Sequence, residues 1–221
     1  MKKELRITAD GSHTFYVEEL DEQYHSMHGS IAEAEHIFIN SGLLNKAKQK
    51  QAFKIFEVGM GTGLNVYLTA IAAAKNKLNL EMHSIEAYPV DVEEVHLLNY
   101  PQQLRASEEL FYQIHKSKWE ELISLNANLS LKKIKADLRD YSFEVLYDVV
   151  YYDAFAPEKQ AEMWEKEIFK KIFRAMETDG ILLTYCVKGV IRRLLAEVGF
   201  EIEKLPGPKN GKREMLRAIK S

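Results

Sequence analysis

"FKIFEVGMGTGLNVYLTAIAAA", residues 53–74, is the stretch whose reading decides the fold. Residues 53–58 are apolar and rich in β-formers, which predicts a strand; residues 64–74 predict a helix that follows almost at once. Between them "EVGMGTGLN", residues 57–65, places Gly59, Gly61 and Gly63 at alternate positions. Glycines let the chain turn tightly and approach a ligand closely, and the helix starting near Leu64 offers unpaired N–H groups to a polar or anionic group. A dinucleotide fingerprint would set the third glycine one residue later, and no Lys-Ser/Thr pair follows, which excludes a phosphate-binding P-loop. A tight structural turn between strand and helix remains an alternative reading of the glycines.

Outward from this unit the pattern repeats. "LEMHSIEA" (80–87) predicts a second strand, and "DVEEVHLL" and "SEELFYQIHKSKWEELISL" (107–125) predict helices. "LSLKKIKA" (129–136) alternates as a third strand and "YDVVYYD" (147–153) is a fourth. Trp164, Ile168, Ile172 and Met176 recur at four-residue steps, which predicts an amphipathic helix. "GILLTYC" (180–186) is a fifth strand, "GVIRRLLAEVGF" a helix closed by Gly199, and "FEIEKL" and "REMLRAIK" two strands with no helix between. Alternating strands and helices imply a parallel sheet covered on both faces. The last two strands are joined too briefly for a parallel pair, so an antiparallel hairpin is expected. An α/β doubly wound, Rossmann-like sheet ending in a reversed hairpin is the architecture of class I S-adenosylmethionine-dependent methyltransferases.

Before residue 53, "LRITADGSHTFYV" alternates around Asp10-Gly11 and predicts a hairpin. Residues 18–45 are helix-prone, with Ile31, Ala34, Ile37 and Phe38 on one side and Gly42 closing the segment. The expected division is an N-terminal hairpin and helical flap over 1–50 and a methyltransferase domain over 51–221. The single cysteine, Cys186, excludes an internal disulfide framework and a thiolate set for zinc. The histidines, His25, His28 and His36 among them, form no metal-binding pattern, so no metal is expected. No apolar run has signal-peptide or membrane-span length, so a cytoplasmic protein is expected. Net charge is −3, but residues 204–220 carry about +5, leaving about −8 on the rest. Such a basic tail suits a polyanion, and a solvated chain end equally well.

Four acids fall at predicted strand ends. Glu57 could meet an ammonium, which suits the amino-acid part of S-adenosylmethionine better than a pyrophosphate. Glu86, 23 residues after Gly63, could accept two ribose hydroxyls. Asp137 could accept from an adenine amine, with Leu138 beside the ring. Asp153 ends the fourth strand in "DVVYYDAFAPEKQAEMW", residues 148–164. Open α/β sheets bind ligands at that carboxyl edge.

With "EVGMGTGLN", "DAFAPEKQAEMW" and "GKREML" in view, the chain resembles the methyltransferase domain of the MnmC family, which makes 5-methylaminomethyl-2-thiouridine at the tRNA wobble position. The family's G-F-G-T-G-L-N, D-G-F-A-P, D-M-W and K-R-E-M-L correspond to Gly59–Asn65, Asp153–Pro157, Glu162–Trp164 and Lys212–Leu216. Its N-terminal Tyr-x-Ser and downstream Glu correspond to Tyr24, Ser26 and Glu33. Met60 replaces a Phe, and Ala154 replaces a Gly, so no positive φ is expected after Asp153. The family's FAD-dependent oxidase domain has no counterpart, so the chain looks like a stand-alone form working beside separate enzymes that make the aminomethyl precursor.

The resemblance implies S-adenosyl-L-methionine as cofactor, with Glu57, Gly59, Met60, Gly61, Gly63, Asn65, Glu86, Asp137 and Leu138 around it. It implies a tRNA anticodon loop as partner, with Tyr24, Glu33, Phe155, Pro157, Lys188, Lys212 and Arg213 toward the substrate and Asp153 as catalytic residue. Tyr24 and His25 would belong to a flap, and Arg192 and Arg193 would join the phosphate contacts. The reaction implied is N-methylation of the 5-aminomethyl group of (2-thio)uridine. The amine must react uncharged, and an ionised Asp153 could hold its N–H bonds and aim the lone pair. Two rivals stand: an aminopropyltransferase related to spermidine synthase, whose D-x-x-D-P motif lacks its second acid here, and a catalytically silent tRNA-binding protein.

Overall fold

The structure, a computed structural model, describes residues 2–208 and 213–221. At its centre lies β4 (Ala52–Val58), followed through the glycine loop by α3 (Leu64–Asn76). The helix packs back on the sheet and the chain returns as β5 (Asn79–Ile85), parallel to β4. Beyond β5 lie β7 (Leu129–Ile134) and, antiparallel to it at the edge, β6 (Leu122–Asn126). The chain then crosses to the other side of β4 for β8 (Tyr147–Tyr152) and β9 (Met176–Thr184), both parallel. The last two strands, β10 (Phe200–Pro206) and β11 (Glu214–Lys220), form the expected antiparallel hairpin, and β11 slots in beside β9. The eight-stranded order is β10-β11-β9-β8-β4-β5-β7-β6.

Every residue of β8 is buried. Val149 and Tyr151 enter one core layer; Tyr147, Val150 and Tyr152 enter the other. A strand in the middle of a parallel sheet is covered on both faces, which is why its sequence is apolar without alternation. α7 (Lys166–Arg174) and α8 (Gly189–Val198) cover one face, where Ile168, Phe169, Ile172, Ile191 and Leu195 are buried. Gly199 ends α8 at φ +119°, the left-handed cap its position called for.

The N-terminal part opens with the hairpin β1 (Lys3–Ile7) and β2 (His13–Val17), to which β3 (Glu22–Gln23) adds a short third strand. α1 (Ser30–Ala34) widens into a π-helical stretch, Glu35–Leu43, and ends as α2 (Leu44–Ala47). Ile37 and Phe38 from this segment share a core layer with Phe15, Val149 and Leu183.

Three expectations need correction. Gly42 does not close the N-terminal helical segment, which runs through it to Ala47. The helix expected over 107–125 stops early: α6 (Glu108–Lys116) gives way to β6, whose Leu122–Ser124 stretch pairs with β7 rather than continuing a helix. Cross-strand pairing outweighs local helix propensity here. The helix expected from Trp164 to Met176 is shorter at both ends: Trp164 lies in a preceding 3₁₀ turn and Met176 begins β9. The remaining helices, α4 (Val92–Val95) and α5 (Tyr100–Leu104), are short; α4 starts at a capping box between Asp91 and Glu94.

Candidate active site

The chain reverses its direction of travel across the sheet between β4 and β8, and ligands bind α/β sheets outside the strand ends at such a point. Here the two strand ends meet directly. The Asp153 N–H donates to Val58 O at 3.0 Å, and the Gly59 N–H donates to Ile85 O at 3.0 Å. Gly59, Gly61 and Gly63 hold φ of +85°, +50° and +73°. All three need glycine, since a Cβ would also meet the Asp153 carbonyl, the Tyr24 ring and the His115 ring at 2.7–2.8 Å.

A cavity of about 950 Å³ opens over this junction. Gly59, Met60, Gly61, Glu86, Asp137 and Leu138 line it, and so do Tyr24, Glu33, Asp153 and Phe155. Glu57, Gly63, Asn65, Pro157, Lys188 and Arg213 do not, and Lys212 lies outside the described residues. Glu57 is fully buried below the loop, where it accepts the Ser84 hydroxyl from the neighbouring strand. Burial pushes its carboxyl up to about 8, with the nearby Asp153 adding to the rise. It is thus a buried acid rather than an open partner for an ammonium. Asn65 turns to Asp153, donating from Nδ2 to Oδ2 at 2.8 Å.

The other acids are already engaged. Glu86 Oε2 accepts the Gly61 N–H at 3.0 Å and Oε1 the Tyr88 N–H at 2.9 Å, so it braces the glycine loop from the next strand. Asp137 is held by its neighbour Arg139 through Nε at 3.0 Å and Nη2 at 2.7 Å, and this guanidinium holds its carboxyl below the usual range. Any contact to an adenine amine would share that carboxylate with Arg139.

The loop after Asp153 is fixed by its backbone. Tyr185 OH donates to Ala154 O at 2.9 Å and Trp164 Nε1 to Phe155 O at 2.8 Å. Ala154 keeps a negative φ, as its side chain demands. Tyr24 packs edge-on against Phe155, ring centroids 5.2 Å apart, and so bridges the glycine loop and the Asp153 loop. His25 beside it anchors this flap, with Nε2 2.6 Å from Thr62 Oγ1; burial pushes its pKa down to about 4, so the ring is neutral. Tyr185 was not singled out from the sequence. It follows β9 directly, at the same sheet edge as the four acids, but a search for acids passes over it.

Part of the positive charge near the C-terminus is paired among the described residues. Lys204 pairs with Glu214 and Arg217 with Glu203, while Lys188 pairs with Glu158. Arg193 and Arg213 are exposed. Among the described residues no cluster of ligands could hold a metal ion, and no helix is long and apolar enough to cross a membrane.

The cavity fits S-adenosyl-L-methionine. Its glycine loop presents backbone rather than side chains, and its lining carboxylates suit a sulfonium and an ammonium. A family model described as S-adenosyl-L-methionine-dependent methyltransferase matches residues 98–221. A bifunctional MnmC protein of tRNA 5-methylaminomethyl-2-thiouridine biosynthesis from Azoarcus sp. (strain BH72) is 31% identical over 96% of this chain and 35% of its own length. The protein of the same name from Leptospira interrogans is 30% identical over 90% of this chain and 32% of its own. The chain therefore spans about a third of these relatives. The crystal structure of MNMC2 from Aquifex aeolicus superposes with a TM-score of 0.80 at 25% identity, covering 98% of this chain and 69% of that one. By the family match and the fold, the chain belongs to the S-adenosyl-L-methionine-dependent methyltransferases.

Proposed function

We propose that this methyltransferase acts on tRNA, methylating the 5-aminomethyl nitrogen of (2-thio)uridine at the wobble position to give the 5-methylaminomethyl nucleoside. The observation that carries the reading is the placing of Asp153 beside the glycine loop, in one cavity with the Tyr24–Phe155 aromatic pair. The names of the relatives, which belong to 5-methylaminomethyl-2-thiouridine biosynthesis, favour this acceptor.

Glu86 and the Gly59–Gly61 backbone would hold the donor, with Met60 and Leu138 giving apolar contact and Asp137 at the far wall. When bound, S-adenosyl-L-methionine supplies an activated methyl group. The work left to this chain is alignment. Asp153 would accept the amine N–H bonds and aim the nitrogen lone pair. Phe155 and Tyr24 would pack on a base splayed out of the anticodon loop, the usual mode of reading single-stranded RNA. Glu33 would meet the cationic side arm before it loses its proton. Lys188, Arg213 and Lys212 would contact backbone phosphates, whose charge dominates nucleic-acid affinity.

The test is methyl transfer from labelled donor to purified tRNA carrying aminomethyluridine. Label in the wobble nucleoside supports the reading. Transfer to putrescine-like amines but never to tRNA would contradict it.

A further inference from the structure

We infer that Asn65 is a positioning residue, whose buried side-chain amide aims the Asp153 carboxylate and ties it to the glycine loop. The inference rests on the proposed role of Asp153. Asn65 is 3% exposed, does not reach the cavity, and is the second residue of α3, two after Gly63. Its backbone therefore moves with the glycine loop, while its Nδ2 holds Asp153 Oδ2 at 2.8 Å across 88 residues of sequence.

An amide suits this task for an electrostatic reason. A lysine or arginine there would neutralise Asp153 and compete with a cationic acceptor. A neutral N–H donor fixes the carboxylate's rotation and leaves its charge in place. Behind the amide, Asn65 Oδ1 and Glu57 Oε1 are both buried and have no hydrogen-bond partner. Glu57 lies beside Asn65, and buried acceptors left unmatched are costly. Donation runs from the Ser84 hydroxyl to Glu57 on one strand pair and from the Asn65 amide to Asp153 above it. In this arrangement the acceptor's carboxylate and the donor's loop share one rigid support.

The test compares Asn65→Ala, the same-shaped Asn65→Asp, Asp153→Asn and the double variant Asn65→Ala/Asp153→Asn. Readouts are thermal melting, donor binding by calorimetry, and methyl transfer to tRNA between about pH 6 and 9. A misaimed group costs about 10- to 100-fold in kcat. Asn65→Ala should show that loss with donor Kd changed less than about threefold. Its acid limb should move to higher pH, because a hydrogen bond to the charged carboxylate is gone. Asn65→Asp should lose more activity as pH rises, two carboxylates then facing each other. In the Asp153→Asn background the Asn65→Ala change should cost nothing further. Wild-type kcat in both folded Asn65 variants, a loss explained wholly by donor Kd, or a full additional loss in the double variant would overturn the inference. Wild-type turnover of Asp153→Asn would instead overturn the role of Asp153, and this inference with it.

Discussion

Gly59 and Asp153 are in contact through their backbones: a Cβ on Gly59 would stand 2.8 Å from the Asp153 carbonyl oxygen. The end of β4 and the end of β8 are thus packed as closely as two main chains allow, and the side chains beyond them converge on one cavity. Gly59→Ala forces these ends apart and places alanine at φ +85°. The conformational part alone costs about 1–2 kcal/mol. The variant should melt several degrees lower and bind S-adenosyl-L-methionine at least about tenfold more weakly. Calorimetry and a melting curve check both.

Phe155 lines the cavity beside the glycine loop. Its ring lies against Tyr24, and Tyr24 covers Gly61. Base-aromatic stacking is worth about 1–3 kcal/mol per base. Phe155→Ala should lower kcat/KM for tRNA by about 5- to 150-fold while donor Kd stays within about twofold. A Kd loss as large as the kcat/KM loss would make Phe155 part of the donor pocket.

Glu57 makes stability depend on pH. Its folded pKa is about 8, against 4.5 for the unfolded chain. Between those values the folded state binds the extra proton, so stability falls as pH rises through the window. The slope from this one group is about 1.4 kcal/mol per pH unit. Glu57→Gln stays uncharged throughout, so the melting temperature of the variant should gain on wild type from pH 5 to 8. Parallel curves would mean that Glu57 is ionised in the folded protein.

The tail offers a contrast between paired and exposed charge. Arg217 donates to Glu203 at 2.6 Å, whereas Arg213 is exposed. Arg213→Glu should weaken tRNA binding and flatten its salt dependence by about one unit of log–log slope. Arg217→Glu should change the slope less and mainly disturb the β10–β11 hairpin. Filter binding from low to moderate salt separates the two.

Much of this architecture was legible because local patterns agreed with the final packing. The strand–glycine–helix unit at 53–74 was readable because Gly59 and Gly63 need positive φ, and β8 because a doubly covered strand is apolar throughout. The β6 strand was not, since Leu122–Ser124 becomes a strand only through pairing with β7. At the site, strand-end acids were visible as residue types, but their partners were not. Nothing local shows that Asn65 faces Asp153, that Glu57 faces Ser84, or that Tyr185 pins Ala154, because each pair is joined across the sheet. Arg139 on Asp137 is the opposite case, a neighbour two residues away that a strand-end reading passes over. The apparent basic tail shows the same limit: Glu203, outside it in sequence, pairs with Arg217 in space.

The central claim is that this chain methylates the aminomethyl group of a wobble uridine, with Asp153 aiming the amine. Nucleoside mass analysis of tRNA tests it most directly, using a strain lacking the gene and carrying either the wild-type chain or Asp153→Ala. The account predicts that aminomethyluridine accumulates in the deletion strain, that the wild-type chain converts it to the methylaminomethyl form, and that Asp153→Ala does not, although it still binds the donor. Unchanged wobble nucleosides in the deletion strain, or full conversion by Asp153→Ala, would contradict it.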